Sequence, residues 1–161
     1  MGRMRPSCVA AAIAGALVLA GCGSSDTPDT PAACLAPASA YVEALRSAPN
    51  DVRLAGGTPI SDCLVDEQAA GQLETVGKSM VDAANELNRE ALRTRDPDGF
   101  VQLGYLAGAV ERGADETGGI HRDLVLRVES AAGYTGAGAP RLPASLRQAF
   151  AYGRGAGLDQ G

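Results

Sequence analysis

At 161 residues, with 14 basic and 19 acidic side chains, the chain carries a net charge of −5, and only 4% of it is aromatic. An acidic chain with no basic stripe and no aromatic platform is poorly suited to nucleic acid, so no nucleic-acid partner is expected. The length supports one domain with a real core and is short for two.

Residues 1–22 read MGRMRPSCVAAAIAGALVLAGC. Arg3 and Arg5 precede an apolar run from about Val9 to Ala20. A run of roughly a dozen residues is too short to cross a hydrocarbon core and has the length of a signal-peptide apolar region. Leu19, Ala20, Gly21 and Cys22 fill the aliphatic, small, small and cysteine positions of a lipobox. In these residues the chain resembles bacterial lipoproteins. The resemblance implies cleavage before Cys22, a diacylglyceryl thioether on its sulfur and an acylated amino terminus. A thiolate is the nucleophile such lipid transfer needs. Two or more acyl chains hold a protein stably where one does not. The implied partner is therefore the membrane, through lipid on Cys22, and the implied location is the outer face of the cell membrane.

Residues 23–33, GSSDTPDTPAA, lack core-forming side chains and predict a disordered tether. Its r.m.s. reach is ~18 Å, enough to hold a folded part just off the surface. The predicted organisation is a leader over 1–21, a lipidated cysteine and tether over 22–33, and a helical domain over 34–161. Removing a leader that holds Arg3 and Arg5 and no acid takes the remainder to about −7. Such an acidic chain is unsuited to anionic headgroups. Lys78 is the only lysine beside thirteen arginines, and alanine and glycine abound. In this the domain resembles small uncharacterised lipoproteins of high-GC bacteria.

Cys8 falls in the leader and Cys22 takes the lipid, which leaves Cys34 and Cys63. In an oxidising compartment an even remainder of two predicts one disulfide rather than free thiols. A zinc site would need more ligands than two cysteines and one histidine supply, and CxxC spacing is absent.

From Cys34 onward the pattern is helical. ASAYVEALRS, 38–47, spaces Tyr41 and Leu45 as a helix does and stops at Pro49-Asn50; 48–61 reads as loop. A long helix is predicted from Asp62 or Asp66 to Arg95, with Leu73, Val76, Met80, Ala83, Leu87 and Ala91 on its stripe. Glu74 and Lys78 stand at favourable i,i+4 spacing. RDPDG, 95–99, punctuates the chain: Pro97 ends one helix at Asp96, which then caps the next. The second helix is predicted over 97–132, interrupted at Gly118-Gly119, with Leu103, Leu106, Val110, Gly113, Ile120, Leu124 and Val128 inward. Residues 133–140 read as loop. A last helix begins near Pro143, with Leu146, Phe150, Gly153 and Gly157 on one face and a tail glycine-rich enough to fray.

The fold expected is all-α, a small bundle of three to four helices built on a long antiparallel hairpin, about 62–95 and 97–132. A turn at Asp96-Pro97 sets Leu87 level with Leu106, Met80 with Gly113 and Leu73 with Ile120. Gly104 and Gly108, one turn apart, predict close approach of a neighbouring helix, with a ligand slot beside Tyr105 the lesser alternative.

His121 is the only histidine, with Asp115, Glu116 and Asp123 nearby. An imidazole beside carboxylates has acid–base capacity, but no nucleophile motif accompanies it. The di-iron Glu-x-x-His spacing, a haem CxxCH and a phosphate loop are likewise missing, so no metal or cofactor is expected. The hairpin register brings His121 level with Gln72 and Gly71, at the glycine break. Gln72, Glu116 and His121 are therefore the candidate ligand-binding residues. The leading expectation is a non-enzymatic binding or interaction module with a protein partner at the envelope. The alternative is a small-ligand carrier with a pocket near His121, and an enzyme ranks last.

Overall fold

The computed structural model describes residues 29–133 and 142–161. Cys22, most of the tether and nearly all of the expected 133–140 loop lie outside the described residues. Within them the fold is all-α: α1 (Ala38–Leu45), α2 (Ala70–Thr94), α3 (Pro97–Glu116), α4 (Arg122–Ala131) and α5 (Ala144–Gln160), with short 3-10 turns at Ala32–Leu35, Ala55–Gly57 and Ser61–Cys63.

The α2–α3 turn forms as the residues dictate. Arg95 takes a left-handed conformation that stops α2, and the Asp96 carboxylate accepts from the Asp98 backbone N–H at 3.1 Å, capping α3 with Pro97 in its first turn. The sequence register sets Gly99 opposite Thr94. The neighbour found is Ala91, less than a turn away, 3.2 Å from where a Gly99 Cβ would stand. Gly113, expected level with Met80, is needed small for a different neighbour: a Cβ there would come within 2.5 Å of the Ser61 carbonyl oxygen.

One helix boundary differs from expectation, and the expected interruption at Gly118-Gly119 is a full turn between two helices. The long helix starts at Ala70, not near Asp62 or Asp66. Cys63 is held by the disulfide and Glu67 is left-handed, so 64–69 runs as an irregular link. The second arm is two helices: Thr117 caps α3 by donating to the Gly113 carbonyl at 2.9 Å, and Gly118 and Gly119 both take positive φ, +65° and +81°. A side chain rarely adopts that conformation, so the double glycine turns the chain instead of merely kinking a helix. Ile120, expected inward, is swung to 61% exposure by this turn.

Contacts fix the topology. The Ala36 carbonyl accepts from Ser79 Oγ at 2.9 Å, and α1 runs alongside α2 in the same direction. α3 returns antiparallel to α2. Gly77 meets Leu124, and Asn88 donates to the Ala131 carbonyl at 3.1 Å, so α4 runs parallel to α2. α5 then runs parallel to α3, and this is the most extensive helix pair. A Cβ on Gly104 would collide with the Phe150 carbonyl oxygen, and one on Gly108 with that of Arg154. Gly153 and Gly157 receive the Val101 and Tyr105 carbonyls in the same way. Gly104 and Gly108 thus serve helix approach, and the ligand slot imagined beside Tyr105 is filled by α5.

The expected fraying of the last helix does not occur, since α5 is regular to Gln160. The carbonyls of Asp159, Gln160 and Gly161 are used: Arg112 donates to the first at 2.6 Å, Arg53 to the second at 3.3 Å and Ser61 to the third at 2.5 Å. Arg154 ties three helices, 2.5 Å from Glu111 and 3.6 Å from Glu129.

Cys34 and Cys63 form the expected disulfide, with Cα atoms 5.3 Å apart. Tyr41 lies over it, fully buried, and donates to the Cys34 carbonyl at 2.7 Å. Closing a loop of this length stabilises by about 3–4 kcal/mol in the chain-entropy model.

Candidate functional site

The α3–α4 turn leans His121 onto the foot of α2. His121 is 3% exposed, and its Nε2 lies 3.1 Å from the Val65 carbonyl oxygen. A carbonyl only accepts, so Nε2 carries the proton and Nδ1 is left as an acceptor. Nδ1 is buried without a partner. His121 also lines a half-open groove between α2 and α4.

The groove encloses about 290 Å³. Leu73, Gly77, Ile120 and Leu124 give it an apolar floor, and Glu74, Asp123 and Arg127 a charged rim. Gly77 makes the space: with no side chain of its own, it leaves Leu124 as the only nearby neighbour, 3.4 Å from a notional Cβ. Past Arg127 the seam continues as a shallower strip along Val81, Asn85, Leu126 and Ala131. Leu126 is 57% exposed there.

Of the three candidate residues, His121 alone borders this groove. Gln72 points to the other side of α2, where its Oε1 accepts from Thr30 Oγ1 at 3.1 Å. Gln68 also donates to Thr30, at 2.8 Å, so the chain enters the domain pinned beside the first turns of α2. Glu116 pairs with Arg112 at 2.8 Å on the α3 surface. Leu73 and Ile120 do share the groove, as the register anticipates. The α5 helix is packed on α3 and contributes no residue to the groove.

Lining residues outside the candidate set are Ala70, Glu74, Gly77, Asp123, Leu124 and Arg127, of which the sequence had noted Asp123 beside His121 and Leu124 on the inward stripe. A signal existed for some of them: Leu73, Gly77, Val81 and Asn85 form a second i,i+4 line on α2, beside the core stripe. The charge pattern also shifts. Lys78 turns to Asp82 rather than to Glu74, leaving Glu74 without an ion-pair partner among the described residues. Asp123 has none either, whereas Asp115, one turn before the break, reaches Arg122 at 3.7 Å.

Burial raises the hydroxyl pKa of two other side chains. Tyr41 is pushed far above its ordinary value, and Tyr105 is raised because burial outweighs the opposing pull of Arg53 and Arg112. Both belong to the core and not to the groove. Among the described residues no group of three or more His, Cys, Asp or Glu side chains is arranged to hold a metal, and no helix is long and apolar enough to cross a membrane. Compared with family models, curated proteins and solved structures, the chain matches none.

Proposed function

We propose that this chain is an exported, lipid-anchored binding module: Cys22 carries the lipid, residues 23–29 tether the domain to the outer face of the membrane, and the helical domain, which begins at Thr30, engages a partner there without catalysing a reaction. The lipobox residues Leu19 to Cys22 support the anchor, and the Cys34–Cys63 disulfide suits an oxidising compartment. The observation that carries the binding role is the α2–α4 groove, where apolar side chains stand beside a charged rim. Its sole histidine gives little to an enzyme, since Nε2 is spent on the Val65 carbonyl. The buried, unpartnered Nδ1 favours one second reading, carriage of a small ligand whose donor group reaches it after a modest ring movement.

Two measurements test the proposal. Cys22→Ser should abolish lipid labelling and leave uncleaved precursor, while Cys8→Ser does neither; acylated Cys22→Ser protein would overturn the anchor. Native mass spectrometry of protein from its host's membranes should find a bound species that Gly77→Leu, which fills the groove, no longer retains. A bound species unaffected by Gly77→Leu, or none at all, would overturn the groove as the binding place.

A further inference from the structure

We infer that the occupant of the α2–α4 seam is a cationic amphipathic segment of another protein, its aliphatic side chains over Leu73, Gly77 and Leu124 and a lysine or arginine against Glu74 and Asp123. This rests on the binding role proposed above and adds the chemistry of the partner.

Shape comes first. The groove's volume is at the lower end of small-molecule sites, and it is open along one side, so it would leave a compact ligand largely exposed. It suits a few side chains presented from outside. The seam is also long, continuing from the Leu73–Gly77 floor onto the Val81–Leu126 strip. A long track between two parallel helices, apolar at Leu73, Val81 and Leu126 with polar side chains between, is the kind of surface on which an amphipathic helix seats anchors at i, i+3 or i+4 and i+7.

Charge selects the partner's sign. Eight acids among the described residues have a cation within reach, including Glu43 with Arg46, Asp82 with Lys78, Glu90 with Arg93, Glu111 with Arg154 and Glu116 with Arg112. Glu74 and Asp123 stand on the groove rim without one among the described residues. Asp66 and Glu67, next to the Val65 carbonyl that holds His121, add two exposed acids at the same end. Arg127 is the one cation on the rim, placed where groove and strip meet. It favours a polar or acidic residue of the partner about one turn past the basic one. The net charge of −5 adds a long-range attraction for a basic partner.

The test uses the purified protein in discs of zwitterionic lipid, with empty discs as blank. The probe is a fluorescein-labelled leucine–lysine peptide about three helical turns long. Anisotropy should show binding that is lost when serine replaces leucine or glutamate replaces lysine. Glu74→Gln with Asp123→Asn should weaken binding about fivefold. Glu86→Gln with Asp159→Asn, equal in charge and distant from the groove, should change it less than about twofold. Equal weakening by both pairs, undiminished binding of the serine peptide, or no binding would overturn the inference. If the peptide fails while native mass spectrometry still finds a species released by Gly77→Leu, the partner chemistry is wrong and the groove stands.

Discussion

The α3–α5 and α2–α4 pairs are both parallel helix contacts in which glycine takes part, and they come out opposite. Between α3 and α5, glycines face carbonyls from both sides: Gly104 and Gly108 receive Phe150 and Arg154, and Gly153 and Gly157 receive Val101 and Tyr105. The backbones meet and nothing is left to fill. Between α2 and α4 a single glycine, Gly77, faces the branched end of Leu124 at ordinary contact distance. The helices are held apart by leucine, and the missing side chain becomes part of a groove. Reciprocal glycines build structure, and an unreciprocated glycine leaves space.

The sharpest way to break this comparison is to put a side chain into the closed pair. Gly108→Val would drive a branched group into the Arg154 carbonyl and should destabilise the fold by more than about 4 kcal/mol, an effect reserved for steric failure in a core. Urea denaturation measures it, and a loss under about 1 kcal/mol would mean that α5 does not lie where described. Reducing the Cys34–Cys63 disulfide acts on neither helix pair and should cost about 3 kcal/mol by freeing the unfolded chain. Thermal unfolding with and without reductant should show it, along with a groove that still binds when refolded protein is assayed.

Tyr105, on the closed face, and Tyr41, over the disulfide, give a pH signature. The folded chain holds both phenolic protons more tightly than the unfolded chain, whose tyrosines titrate near 10. Stability from these groups is therefore intact below that value and falls as pH rises above it, by at most about 1.4 kcal/mol per pH unit for each tyrosine until the folded form ionises as well. Denaturation midpoints from about pH 8 to pH 11 should show the decline, and Tyr41→Phe should flatten part of it. A flat profile in the unsubstituted protein contradicts the burial. The smallest effect has the opposite sign. Gly77→Ala, with only Leu124 nearby, should gain up to about 1 kcal/mol of helix propensity. A substantial loss there would show that the open pair is as tight as the closed one.

Much of this was legible before folding. Tyr41 and Leu45, the stripe from Val76 to Ala91, the Asp96-Pro97 cap and the Cys34–Cys63 pairing follow from local spacing and from cysteine arithmetic. Of the site, the sequence pointed to His121 and to the depth of the Gly118-Gly119 break. It left Gly77, Glu74, Asp123 and Arg127 out of the candidate set, and it brought in Gln72 and Glu116, which are engaged elsewhere by Thr30 and Arg112. Helical spacing reports which residues share a face. It does not report which neighbour a polar side chain will choose, as Lys78 shows by taking Asp82 over Glu74.

The sequence by itself determined the elements, because caps, breakers and 3.6-residue periodicity act within a few residues. Only the tertiary structure decided where α2 begins, since that depends on Cys63, Gln68 and Val65 being held by partners far along the chain. It also decided that the glycine-rich α5 is a regular helix. Glycine favours fraying in isolation, but backbone contact with α3, and donors from Arg112, Arg53 and Ser61 to the last carbonyls, more than offset that preference. The groove itself is wholly tertiary: it exists because α4 returns beside Gly77, which no local rule of chain conformation requires.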